Sequence, residues 1–134
     1  MEQRLAVYVE SSIYCRGETI SYLQKKGFRV IELKKLSELG IGWLTRNKVA
    51  LVVMKPYRAM GQRMAIKQGK DDLWAKAIVE ALRADNSANR TTPILAYSRC
   101  RVPDFVLEKF RQYNITPIPN DAESFKKTID DLFS

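Results

Sequence analysis

The sequence predicts an α/β domain: a five-stranded parallel sheet with helices on both faces. Three observations predict it. Short apolar runs, partly β-branched, recur at Arg4–Val9, Phe28–Leu33, Val49–Met54, Thr92–Ser98 and Ile115–Pro119. Stretches with helical spacing and capping residues separate them. The 134 residues are enough for one domain with a real core and too few for two, so residues 1–134 are expected to form a single domain.

The elements follow in order. After the first strand, Ser11 and Ser12 offer N-caps, Ile13, Gly17, Ile20 and Leu23 fall near helical spacing, and Gly27 stops the helix. The stretch "LSELGIGWLTRN" has Ser37 as a cap, but Gly40 and Gly42 weaken it. "DDLWAKAIVEALRAD" is a clear helix, capped by Asp71 or Asp72, with Leu73, Trp74, Ala77, Ile78, Ala81 and Leu82 on one apolar face. Pro103 suits the first turn of "DFVLEKFRQYN". Two prolines put the last strand at a sheet edge. Asn120 and Glu123 form a capping box for a final helix that turns Phe125, Ile129, Leu132 and Phe133 to the core. Trp43 and Trp74 are expected in the core or at its margin.

Five βα units joined by right-handed crossovers fit the flavodoxin-like strand order 2-1-3-4-5. That order sets strands one and three side by side, with a crevice at their carboxyl ends. Glu10, Lys55 and Ser98 end strands one, three and four, and should converge there. A carboxylate and an ammonium in a partly buried crevice should pair, because either alone carries a desolvation cost of several kcal/mol. The other reading has Lys55 running out to solvent along Pro56.

Composition narrows the chemistry. Hydrophobic residues make up 46% and charged residues 28%, as in ordinary globular chains. No apolar run approaches the ~20 residues that span a bilayer, and the amino terminus lacks the features of a secretory signal. A cytoplasmic location is expected, with no membrane partner. Cys15 and Cys100 read as reduced thiols. Cys15 suits a core position, and Cys100, between Arg99 and Arg101, would be a low-pKa thiol if exposed. The chain has no histidine, so the commonest general base and metal ligand is missing, and no metal site or cofactor is expected. Neither GxGxxG nor GxxxxGK[ST] occurs. A net charge of +8 suits nucleic acid, an acidic protein face or anionic lipid, and equally a merely basic solvated surface.

The pattern resembles the receiver domain of bacterial two-component response regulators over essentially the whole chain. The strongest local match is "EALRADNSANRTTPILAYS", with a leucine-arginine at a helix end, a loop, then Thr-Pro-Ile and a terminal hydroxyl residue. The resemblance implies a set of site positions. The two metal-binding acids of receivers match Glu10 and Ser11. The phospho-acceptor aspartate matches Lys55, the hydroxyl that follows the phosphoryl group matches Ser98, the phosphate-pairing lysine matches Ile118, and the aromatic switch residue matches Ile115.

These departures have consequences. Lysine has no carboxylate oxygen to attack phosphorus, and its ammonium repels Mg²⁺. The expected result is a degenerate receiver, or pseudo-receiver, in which Lys55 neutralises Glu10 where a metal would have done so. Its role is that of a phosphorylation-independent signalling or adaptor domain, not an enzyme, acting on a protein partner or a second copy of itself. The resemblance places the interaction face on helix four, strand five and helix five, at Phe105, Lys109, Arg111, Gln112, Lys126, Lys127 and Asp130. The chain is either a stand-alone adaptor or the front of a longer regulator.

Arg58, Arg63, Lys67 and Lys70 follow strand three with no acid before Asp71. Arg99 and Arg101 should join them on the crevice face as a candidate anion or partner site. Tyr57 among these cations leaves open a nucleic-acid-binding role, and a solvated loop is the plain alternative. A third reading, a flavodoxin-fold enzyme, would use Lys55 as base or Schiff-base nucleophile beside Glu10 and Ser98.

Overall fold

The computed structural model describes residues 4–9, 16–33, 38–54, 76–97, 104–118 and 121–133. Strands β1 (Arg4–Val9), β2 (Phe28–Leu33), β3 (Leu51–Met54), β4 (Ile94–Tyr97) and β5 (Ile115–Ile118) alternate with helices α1 (Arg16–Lys25), α2 (Glu38–Arg46), α3 (Lys76–Arg83), α4 (Asp104–Tyr113) and α5 (Ala122–Phe133). The strands form one sheet in the order β2-β1-β3-β4-β5, and every pair is parallel. The expected architecture and order are therefore the observed ones. The first two strands also keep their expected bounds, while β3 and β4 each begin two residues later than the apolar runs that signalled them; Ser98 and Pro119, the expected ends of β4 and β5, lie outside the described residues.

Alternation along the strands feeds two cores, one on each face of the sheet. Val7, Val52, Met54, Ile94, Ala96 and Ile115 pack with Leu44 of α2, Val79 and Leu82 of α3 and Phe110 of α4. Ala6, Tyr8, Leu51, Val53, Leu95 and Ile118 pack with Leu23 of α1 and Phe125 and Ile129 of α5. Strand β3 is buried at all four positions, as a central parallel strand covered on both faces must be.

The helices show where packing overrides local preference. Two glycines in α2 cost about 1 kcal/mol each in propensity. Burying Leu44 returns about 2 kcal/mol, and the partly buried Trp43 adds to it, so the helix runs through both glycines. Helix α1 is mostly polar, and its inner face is held by Leu23 and by a buried polar pair: the Tyr8 hydroxyl donates to Thr19 Oγ1 at 3.0 Å. Gly27, at φ 95°, ends that helix in a left-handed conformation that an L side chain resists. Asn114, at φ 56°, does the same after α4.

Three local expectations are corrected. Val79, not assigned to the apolar face of α3, is buried there, whereas Ala81 is only partly buried. Side-chain placement at 73, 74, 77 and 78 lies outside the described residues. The α5 cap is Asp121; Asn120, the expected cap, lies outside the described residues. The Asp121 carboxylate accepts from the Ser124 backbone N–H at 2.6 Å and from the Ser124 hydroxyl at 2.9 Å, which satisfies an amide that the helix itself leaves unpaired. Leu132 is 44% exposed instead of facing the core, while Phe133 is partly buried against Phe28.

Candidate functional site

Strands β1 and β3 are neighbours in the sheet but not in sequence. In this strand order β1 leads on to β2 at one edge and β3 to β4 toward the other, the topological switch point at whose carboxyl ends doubly wound sheets hold their sites. Val9 pairs with Met54, and Met54 pairs with Ala96. Glu10 and Lys55 are the residues next in sequence after the register partners Val9 and Met54, and Ser98 follows the end of β4. Glu10, Ser11, Lys55 and Ser98, and with them the expected Glu10–Lys55 contact, lie outside the described residues. So do Arg58, Arg63, Lys67, Lys70, Arg99 and Arg101.

Ile118 is described. It is the last residue of β5, pairs with Tyr97, and is 3% exposed among Leu95, Phe125 and Ile129. Ile115, three positions earlier, points to the other face and packs with Ile94 and Phe110. Both positions where the resemblance places switch machinery, an aromatic at Ile115 and a lysine at Ile118, are thus aliphatic core.

The expected interaction face is divided. Arg111 and Gln112 of α4, Thr116 and Pro117 of the edge strand β5, and Lys127 of α5 are exposed. Arg111 pairs with Glu108 at 3.0 Å. The side chains of Phe105 and Lys109 lie outside the described residues. Lys126 and Asp130 make their contacts on α1. Lys126 Nζ lies 3.1 Å from Glu18 Oε1 and 3.8 Å from Glu123 Oε1. Asp130 Oδ1 accepts from the Tyr22 hydroxyl at 2.5 Å and pairs with Lys26 at 3.2 Å. Both ammonium groups also lie over the Tyr22 ring, at 5.4 Å for Lys26 and 5.6 Å for Lys126.

These contacts shift titration in matching directions. Hydrogen bonding from Tyr22, then from Lys26, holds Asp130 below its ordinary range. The bond to Asp130 raises both Tyr22 and Lys26, and the bond to Glu18 raises Lys126. Sequence reasoning missed the α1 half of this cluster, although a signal was present. Glu18, Tyr22 and Lys26 are spaced i, i+4, i+8, and Lys126 and Asp130 are spaced i, i+4, so each set shares one helix face. Beside the cluster, Arg4, Lys26, Phe28, Ile129, Asp130 and Phe133 line a shallow groove of about 160 Å³.

At the opposite end of the sheet from the crevice, two loops are stapled together. Asn89 is 1% exposed. Its amide nitrogen donates to the carbonyls of Leu44 and Asn47, and its amide oxygen accepts from the Val49 N–H and the Thr92 hydroxyl. Arg83, at the end of α3, donates to the carbonyls of Asn89, Arg90, Thr92, Tyr113 and Asn114. Burial lowers its pKa. The leucine-arginine quoted above is therefore a structural clamp far from the crevice.

Solved structures match this geometry end to end. The chemotaxis response regulator CheY4 of Vibrio cholerae superposes with a TM-score of 0.68 at 15% identity, over 98% of this chain and 100% of that one. A response regulator from Desulfuromonas acetoxidans gives 0.60 at 14% identity, over 99% of this chain and 100% of that one. One from Burkholderia multivorans gives 0.59 at 18% identity, over 98% and 93%. The chain has the response-regulator fold. No protein-family model and no curated protein matches the sequence. At these identities the likeness carries the receiver architecture and not its chemistry. No described helix is long and apolar enough to cross a membrane.

Proposed function

We propose that this chain is a receiver-type signalling domain that works without phosphorylation, as a non-enzymatic adaptor that contacts a protein partner. The observation that carries the reading is Ile118, 3% exposed in the core at the position where the resemblance requires a lysine to pair with phosphoryl oxygens. A buried sec-butyl group offers nothing to an anion.

The residues that follow β1 and β3 support the same reading. The register partners Val9 and Met54 are succeeded by Glu10 and Lys55. Together with Ser11 they supply one carboxylate, one hydroxyl and one ammonium. That donor set does not fit Mg²⁺, which takes carboxylate and water oxygens, and an ammonium accepts no phosphoryl group to form an acyl phosphate. Arg111, Gln112, Thr116 and Lys127 are among the exposed residues of the α4–β5–α5 surface and would face a partner there.

Incubation with acetyl phosphate and Mg²⁺, followed by intact-mass measurement, tests the proposal. The expected result is an unchanged mass, together with unchanged amide NMR shifts on adding BeF₃⁻ and Mg²⁺. A gain of one phosphoryl group, or saturable BeF₃⁻ binding, overturns it.

A further inference from the structure

The end of the sheet opposite the crevice carries a row of cations. Because the strand order is β2-β1-β3-β4, the segments leading into these strands meet at one end of the sheet. Lys25 precedes β2, Arg4 opens β1, Lys48 precedes β3 and Arg90 precedes β4. All four are exposed, and none has a carboxylate partner among the described residues. Arg4 rests instead over the rings of Phe28 and Phe133, at 5.8 and 5.6 Å. Lys126 and Arg111 on the α5 and α4 surfaces each meet an acid within 3.2 Å, and so does Lys26 at this end, whose partner Asp130 lines a groove with Arg4.

The central part of the row is held in place. The Ala88 N–H donates to the Thr45 carbonyl at 2.9 Å, and Asn89 bonds to Leu44, Asn47 and Val49, so the loops that bear Lys48 and Arg90 are tied together. Beneath them, Arg83 adds a cation that, among the described residues, is bound by carbonyls alone. The acids facing this end without a described partner are Asp85 and Asp131, and they leave the row in positive excess.

We propose that this end of the sheet is a docking surface for the phosphodiester backbone of nucleic acid, a role beyond the adaptor reading. The composition favours phosphate over an acidic protein. The loops from Asn86 to Thr91 and at Asn47–Lys48 present amides, hydroxyls and cations, which are the groups that contact phosphate. They offer no exposed aromatic or large aliphatic side chain of the kind that anchors a protein interface.

Fluorescence anisotropy with a labelled oligothymidylate, from 50 to 300 mM salt, tests this. Binding is expected, with an affinity that falls as salt rises. The double variant Lys48→Glu/Arg90→Glu should weaken it at least tenfold and flatten the log–log salt slope by about 1.4, the release expected for two single-strand contacts. The control Arg111→Glu/Lys127→Glu on the α4 and α5 surfaces should not affect it, and circular dichroism checks the folding of each. No binding at 50 mM salt overturns the proposal. So does an unchanged affinity in the double variant, which would place the contact on cations elsewhere. Displacement by polyglutamate as effective as by unlabelled DNA of equal charge also overturns it in favour of an acidic protein.

Discussion

Arg83 Nε donates to the Tyr113 carbonyl at 2.9 Å, tying the end of α3 to the end of α4 just before the chain enters β5. With four further carbonyl acceptors, one guanidinium closes two helix ends and the loop between α3 and β4. Arg83→Ala strands these carbonyls and should cost about 2–3 kcal/mol, seen as a lower urea midpoint with an unchanged slope. Arg83→Lys should restore less than half, because an ammonium cannot span acceptors that a planar fork reaches together.

Asn89 holds the neighbouring loops by using its amide as both donor and acceptor. Asn89→Ala leaves the Val49 N–H and the carbonyls of Leu44 and Asn47 without their partner, an expected loss of about 2–3 kcal/mol. Asn89→Asp should cost more at pH 7, since it sets a carboxylate against two carbonyls. Part of that loss should return in acid, where the carboxyl is neutral. Hydrogen exchange at the Val49 amide separates the two variants, with protection lost in the first and retained in the second.

The sheet was legible because its signal is long-range and redundant. Five apolar runs separated by helical stretches admit few topologies, and Pro117 correctly marked β5 as an edge. What escaped was local or reciprocal. The α5 cap moved by one residue, from Asn120 to Asp121, because adjacent Asx residues compete for the same role and sequence does not show which adopts the capping backbone. Leu132 fell outside the core because α5 turns its inner face to Phe125 and Ile129, and a residue three beyond Ile129 lies on the margin of that stripe. Lys126 and Asp130 were grouped with the surface near α4 because helix spacing gives a face, whereas the partner element is set by packing. In the candidate site, Ile118 was assigned from its place before Pro119, and its burial does not follow from alternation: β5 reads buried, exposed, exposed, buried, and Ile118 is covered by packing with Phe125 and Ile129 of α5. The carboxyl-end residues Glu10 and Lys55 were placed by topology alone.

The Tyr22–Asp130–Lys26 cluster predicts a defined pH response. Asp130 sits below its ordinary 3.8 in the folded chain, first because of the Tyr22 hydroxyl. A carboxyl depressed by folding adds stability that is present above its unfolded value and lost as pH falls through the folded one. Tyr22 is raised above 10.0, chiefly by Asp130, so its share is present below that value and lost as pH rises through the folded one. The stability gap between the native chain and Asp130→Ala should therefore be flat from pH 5 to 9. It should close below 3.8 and narrow again above 10. A gap independent of pH would show that Asp130 acts by packing alone.

Replacing only the residue that matches the phospho-acceptor should not create a working receiver. Lys55→Asp supplies an attacking carboxylate, but the position after Glu10 remains a hydroxyl, at Ser11. Ile118 still presents a hydrocarbon where the resemblance needs a cation for the phosphoryl oxygens. Intact mass after acetyl phosphate and Mg²⁺ should stay unchanged in that variant. Adding Ile118→Lys should cost stability first, because it removes a side chain packed with Leu95, Phe125 and Ile129. Ile118→Ala sets the scale at about 2–4 kcal/mol, and an ammonium directed into the same cluster adds desolvation to that loss. The measurement is the urea midpoint of the two Ile118 variants beside the mass of Lys55→Asp. Phosphoryl uptake by Lys55→Asp alone would mean that neither a second acid nor a lysine at the end of β5 is needed, and the core placement of Ile118 would lose its functional meaning.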